Sequence, residues 1–139
     1  MSVINSMKLH IEAKSQNEGF ARSVVAAFFV QINPTIEQIE DLKTAVSEAV
    51  TNCIVHAYDK AQQGDIDIAC ELTENTITVS ITDYGKGIDN VEKAMQPFYT
   101  TGAEGERSGM GFTVMQAFCD GVDVSSASGE TTVTLTKKV

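Results

Sequence analysis

With 139 residues, 42% hydrophobic and 21% charged, the chain has the composition of one folded domain, residues 1–139, built on a single core. No low-complexity tract or internal repeat interrupts it. A net charge of -9 repels nucleic-acid phosphates and anionic lipid, so neither nucleic acid nor a membrane surface is an expected partner.

Met7, Leu9, Ile11 and Ala13 alternate with Lys8, His10 and Glu12, which predicts a half-buried first strand with His10 on its exposed side. Ser15-Gln16-Asn17-Glu18 has the spacing of a capping box, and the helix behind it carries Phe20, Val24, Ala27, Phe28 and Ile32 as its expected apolar face. Asn33-Pro34-Thr35 ends that helix and opens a second, which is expected to reach about Tyr58 with an apolar stripe of Ile39, Leu42, Val46, Ala49, Val50 and Cys53. After a loop from Asp59 to Gly64, Ile66 to Leu72 and Thr76 to Thr82 read as two alternating strands joined by a turn at Glu74-Asn75. Asp83 to Gly109 is rich in glycine, charge and threonine, with a weak helical pattern near Val91 to Met95; a loop of this length points to a functional lid or to disorder. A helix from about Gly109 to Phe118 and strands near Val122 to Val124 and Thr131 to Thr136 close the chain. The order β-α-α-β-β-loop-α-β-β predicts a two-layer α/β sandwich, a mixed and mostly antiparallel sheet covered on one face by helices.

Cys53, Cys70 and Cys119 form no C-x-x-C pair, which argues against disulfide or zinc frameworks and fits buried thiols in a reduced compartment. The N-terminus shows no basic segment followed by an apolar run, and no stretch approaches ~18 apolar residues, so a cytoplasmic location is expected. No Ser/His/Asp or Cys/His hydrolase pattern is visible, and two histidines cannot build a histidine-rich metal site.

Three segments carry chemistry. Glu48 and Asn52 lie four residues apart, one turn along the same helix face, on the shoulder of the apolar stripe, with His56 continuing the row. That border is where a cleft between helices and sheet would open, although E-x-x-x-N is common on ordinary helix flanks. Asp83-Tyr84-Gly85-Lys86-Gly87-Ile88 follows a strand: an Asp there can accept a hydrogen bond from an exocyclic amine such as adenine N6, and the glycines admit a flat base or a phosphate. An Asp-capped turn fits the same residues. Ser108-Gly109-Met110-Gly111-Phe112 opens a helix whose free N–H groups suit an anion, or forms a glycine hinge; its spacing matches neither the Rossmann nor the Walker signature. Gln96 to Thr101 is an aromatic cluster that either anchors a lid or covers a core edge. Arg107 stands where it would meet a γ-phosphate, or solvent.

In this order the segments resemble the ATPase/kinase superfamily of gyrase B, Hsp90, the histidine kinases and MutL. Its N box is similar to Glu48-Ala49-Val50-Thr51-Asn52, its glycine boxes to Asp83 to Ile88 and Gly109-Met110-Gly111, and its late threonine to Thr131. Within it the whole chain resembles the bacterial anti-sigma serine kinases, through Ser15 to Arg22, Val46 to Asn52 and Glu106 to Phe112, with the sporulation branch ahead of the stress-response branch. The resemblance implies a Bergerat-type ATP-binding fold, ATP with Mg2+, a homodimer, capture of a sigma factor (sigma factor F in the sporulation branch), and serine phosphorylation of a small anti-anti-sigma protein. Carried over by position, it makes Glu48 the general base and Asn52 the magnesium ligand. Asp83 would read adenine, with Gly85, Gly87, Ile88 and Thr131 around the base. Thr100, Thr101, Arg107, Ser108, Gly109, Met110 and Gly111 would hold the phosphates, with Arg107 also serving catalysis, and Arg22 would touch partner proteins. Glu130 departs from relatives that place glycine directly before the threonine. A nucleotide-gated sigma-binding module and a detached histidine-kinase catalytic domain are the competing readings. No second domain carrying a phosphoacceptor histidine is read in this sequence, so the acceptor is expected in trans.

Overall fold

The computed structural model describes residues 2–57, 64–85, 111–127 and 129–139. In chain order these form β1 (Asn5–Glu12), α1 (Gln16–Phe29) with a 3-10 turn at Val30–Ile32, and α2 (Ile36–Asn52) with a π-helical turn at Cys53–Ala57. They continue through β2 (Asp65–Leu72), β3 (Thr76–Asp83), α3 (Gly111–Phe118), β4 (Gly121–Ala127) and β5 (Glu130–Lys138). The five strands make one sheet in the order β1-β2-β3-β5-β4, and all four pairings are antiparallel. The expected two-layer α/β sandwich is therefore present, and the pairings are antiparallel throughout the described residues.

Strict alternation decides which face of the sheet meets the helices. Ile66, Ile68, Cys70 and Leu72 of β2, Ile77, Val79 and Ile81 of β3, and Val133 and Leu135 of β5 are buried on one side. The other side carries Thr78, Ser80 and Thr82 opposite Thr136, Thr134 and Thr132, with hydroxyl contacts of 3.3 Å for Ser80–Thr134 and 2.8 Å for Thr82–Thr132. α2 is the central helix of the second layer: it packs against both α1 and α3 and buries Leu42, Ala45, Val46, Ala49 and Val50. Cys53, Cys70 and Cys119 are all free, the first two buried.

Two local expectations are corrected. Ser15 makes no side-chain cap; the carboxylate of Glu18 instead accepts the Ser47 hydroxyl at 2.7 Å and pairs with Arg22 at 3.5 Å, so a long-range tie to α2 displaces the local one. The capping box belongs to α2, where Thr35 Oγ1 accepts from the Gln38 amide at 3.1 Å and Gln38 Oε1 accepts from the Thr35 amide at 2.8 Å. The buried face of α1 is also rotated from the expected one. Ala21, Val25, Phe28 and Phe29 are its buried residues and Ile32 follows in the 3-10 turn, whereas Phe20 is exposed.

α3 is tied down at its C-terminal end. Lys137 of β5 donates to the Phe118 carbonyl at 2.7 Å and to Asp41 of α2 at 3.2 Å, with both charged side chains largely withdrawn from water. Removing one member leaves its partner poorly solvated and unpaired. Lys137→Met is therefore expected to destabilise the fold by ~2–4 kcal/mol in urea titration, and the double variant with Asp41→Leu to recover more than half of that loss.

Candidate functional site

The register across the sheet puts the site at one edge of the helix-facing surface. One transverse row runs Leu9, Ile68, Ile81, Val133, Val124, apolar in every strand. The next runs Ile11, Ile66, Asp83, Thr131, Ser126 and turns polar halfway across. Asp83 and Thr131 are 6% and 4% exposed, the buried polar side chains of the described residues, and they face each other as direct partners between β3 and β5. Thr131 Oγ1 lies 2.7 Å from Ser126 Oγ.

A carboxylate taken out of water favours its neutral form. Burial accordingly raises the Asp83 pKa, while the Gly85 amide, donating to Oδ1 at 3.1 Å, and the Cys53 thiol pull it back. The same neighbourhood, burial first and the Asp83 charge next, holds the Cys53 thiol well above its ordinary range. Cys53 was expected only as part of the apolar stripe; its contact with Asp83 joins the end of α2 to the end of β3, and the sequence carries no signal for it beyond that stripe.

Glu48 and Asn52 are half-buried on α2, with Ala49, Val50 and Cys53 buried beside them. Asn52 is the last α-helical residue and Cys53 begins the π turn. A helix rises ~1.5 Å per residue, so Glu48 stands one turn, ~6 Å, before Asn52. The expected continuation of the row to His56 falls on a side chain outside the described residues. α3 packs along α2, and Lys137 fixes the C-terminal end of α3 beside Asp41 in the first half of α2. Gly111, which opens α3, therefore lies toward the half of α2 that carries Glu48 and Asn52. Arg22 of α1 reaches the residue before Glu48, its guanidinium 3.4 Å from Ser47 Oγ, and keeps 42% of its side chain exposed.

The hairpin behind Thr131 answers the departure at Glu130. Gly129 takes the positive φ of 87° that the turn requires, which leaves Glu130 free to pair with Ala127 as an exposed strand residue. Gly87, Ile88, Thr100, Thr101, Arg107, Ser108, Gly109 and Met110 lie outside the described residues, as do the Gln96 to Thr101 cluster and the pattern near Val91 to Met95. His10 is 62% exposed, as its place on β1 predicts. No helix among the described residues is long and apolar enough to cross a membrane.

Comparisons with known proteins agree with this fold. The family model of the histidine kinase-like ATPase domain matches residues 11–137. The anti-sigma F factor of Caldanaerobacter subterraneus subsp. tengcongensis is 56% identical over 140 residues, covering 100% of this chain and 97% of its own. That of Clostridium beijerinckii is 51% identical over 134 residues, covering 96% and 94%. Among solved structures, the RsbU and RsbW domains of Rv1364c from Mycobacterium tuberculosis superpose with a TM-score of 0.67 at 22% identity, over 94% of this chain and 32% of that one. The mycobacterial sensor histidine kinase MprB gives 0.61 at 13%, over 94% and 97%; both show a shared fold. Sequence likeness over the full length and the matched ATPase domain together establish that the chain belongs to the anti-sigma F factors, a family built on the histidine kinase-like ATPase domain.

Proposed function

We propose that residues 1–139 act as one cytoplasmic domain that, as a homodimer, holds sigma factor F away from RNA polymerase and phosphorylates a serine of its anti-anti-sigma antagonist with ATP. The observation that carries the nucleotide part is the pairing of Asp83 with Thr131, both buried at the polar end of an otherwise apolar sheet face. A desolvated carboxylate beside a hydroxyl, next to small and apolar groups, suits a flat base that offers an exocyclic N–H. The relatives' name supports the sigma-binding part.

In this reading Asp83 accepts from adenine N6, with Thr131, Gly85, Gly87 and Ile88 around the base. Thr100, Thr101 and Ser108 to Gly111 hold the phosphates. Glu48 orients the incoming serine hydroxyl and accepts its proton, and Arg107 stabilises the charge that develops on the transferred group. Asn52 offers a carboxamide oxygen, a ligand type that suits Mg2+. That ion, when bound, would offset phosphate charge during transfer. Arg22, half exposed one residue from Glu48 in the Glu18–Ser47 network, is where a partner would meet the catalytic edge of α2.

Three outcomes test this. Glu48→Gln should bind ADP normally and lose serine transfer by ~10²-fold or more; native transfer of labelled phosphate to the antagonist would remove Glu48 as base. Asp83→Asn should raise the ADP dissociation constant ~10–100-fold in calorimetry, the loss of one charge-assisted hydrogen bond. It should not lower thermal stability at neutral pH. A carboxyl whose pKa is raised in the fold opposes folding when ionised, and stability is regained only as pH falls through that raised value; the amide carries no such charge. Arg22→Ala should weaken capture of sigma F or the antagonist while ADP affinity stays native, and unchanged capture of both would reject its role.

A further inference from the structure

On the open face of the sheet, two strands and the residue that follows β3 contribute to one chain of hydrogen bonds that ends next to the proposed adenine contact. His10 of β1 and Asp67 of β2 are register partners, and Asp67 in turn faces Thr82 of β3. The His10 ring nitrogen Nδ1 donates to Asp67 Oδ1. The other oxygen of that carboxylate accepts the Tyr84 hydroxyl. Tyr84 is two residues beyond Thr82 and so a diagonal neighbour of Asp67 on the same face. His10 Nε2 also lies 3.6 Å from Asp65.

Asp83 and Tyr84 are consecutive, and successive side chains at a strand end point to opposite faces. Asp83 is buried beneath the helices, while Tyr84 is exposed on the far side. The ladders of β3 with both of its neighbours stop at Asp83. The next two peptides must nevertheless be held, because the Gly85 amide is the group that donates to the Asp83 carboxylate. The Tyr84 ring sits between the carboxylate and that donor in the chain, and its hydroxyl is fastened to Asp67 across β2.

We propose that Tyr84, held by Asp67 and His10, is a positioning residue for nucleotide binding: it fixes the Asp83–Gly85 turn from the opposite face of the sheet. This rests on the reading of Asp83 as the adenine contact. The device is sensitive to protonation of His10. The groups facing the ring are Asp67 and Asp65 of β2, Glu12 of β1, which also meets Lys14 at 3.1 Å, and the Tyr84 hydroxyl. The hydrogen bond to Asp67, then the charges of Asp67, Asp65 and Glu12, raise the His10 pKa against a lowering by desolvation. The Tyr84 hydroxyl first, and His10 second, hold Asp67 below the usual carboxylate range, so Asp67 stays an acceptor throughout. A protonated ring donates from Nδ1 to Asp67 and adds the attraction of its charge to Asp67 and Asp65, which pins the Asp67 carboxylate with its second oxygen toward Tyr84. A neutral ring with its proton on Nδ1 keeps that hydrogen bond but loses the charge attraction that holds the carboxylate in place. The latch is therefore complete below the His10 pKa and loosens as pH rises through it.

Linkage makes this measurable from either end: if protonation tightens nucleotide binding, nucleotide must raise the His10 pKa by the same factor. The experiment titrates the His10 ring resonances of the full chain by NMR with and without saturating ADP, the peak being assigned by its loss in His10→Asn. A ~3-fold coupling corresponds to a pKa rise of roughly half a unit. That rise is expected in the native chain and should vanish in Tyr84→Phe, whose ADP affinity should fall several-fold with little change in thermal midpoint. His10→Asn, still able to donate to Asp67, should retain most of the affinity and lose the pH step that belongs to His10, leaving the step of the ADP phosphate itself. ADP bound with an unmoved His10 pKa, or native ADP affinity in Tyr84→Phe, overturns the latch and leaves the nucleotide reading standing. A native chain that binds no ADP overturns both.

Discussion

A carboxylate buried at the end of an apolar strand is the constraint around which the described part of this molecule is arranged. Asp83 sits on the helix-facing side because Ile77, Val79 and Ile81 do, and period two admits no other choice. A slip of one residue would expose those three apolar side chains and turn Asp83 outward. The same register sets Thr131 beside it, since Val133 and Leu135 bury the alternate positions of β5. Core packing thus fixes the placement of the polar pair to within the pleat. The electrostatic cost of burying Asp83 is met in part by Gly85 and Cys53, and a donor on a bound base would offset more of it.

α2 is held at two levels. In its first half, Asp41 meets Lys137, which also fastens the Phe118 carbonyl at the end of α3. In its second half, Ser47 donates to Glu18 and accepts from Arg22, which ties α2 to α1. Around these ties the helix buries Leu42, Ala45, Val46, Ala49 and Val50, so the shoulder bearing Glu48 and Asn52 is backed by packed core. In the proposed role of Glu48 and Asn52, such a mount would supply the precise placement that transfer chemistry requires. The π turn that follows Asn52 lets the chain leave the helix at the point where Cys53 meets Asp83, in keeping with the frequency of such turns at functional sites.

The strands and the α2 face were legible from the sequence because they obey single periods. Ile66 to Leu72 and Thr76 to Thr82 alternate without a break, and Leu42, Val46, Ala49, Val50 and Cys53 repeat at helical spacing. The rotated face of α1 was not legible: its sequence offers Phe20, Val24, Val25, Ala27, Phe28 and Phe29 together, and only packing against α2 selects Val25 over Phe20. Nor was the fate of Glu18. A serine three residues earlier suggests a local cap, but Ser47, 29 residues on, offers the carboxylate a better donor. Asp83 was legible as a strand-end carboxylate, while its burial, its register with Thr131 and its contact with Cys53 depend on pairings between distant segments that no local pattern encodes.

Alternation also explains why the two faces of the sheet need not be independent. Within β3 each inward apolar residue is followed by an outward hydroxyl, and the ladder hydrogen bonds hold both in place. At the end of the strand the ladder stops, yet inward Asp83 and outward Tyr84 still share a peptide bond. The planar peptide between them limits how far one residue can turn without displacing the other. The outer row here is not a passive line of threonines: it begins with an imidazole and a carboxylate, His10 and Asp67, and continues to Thr82, Thr132 and Ser125. The inner row directly adjacent in sequence is Ile11, Ile66, Asp83, Thr131 and Ser126. A sheet one residue thick thus places a titrating group on one surface and a desolvated carboxylate on the other, linked by the strand end where both hydrogen-bond chains meet.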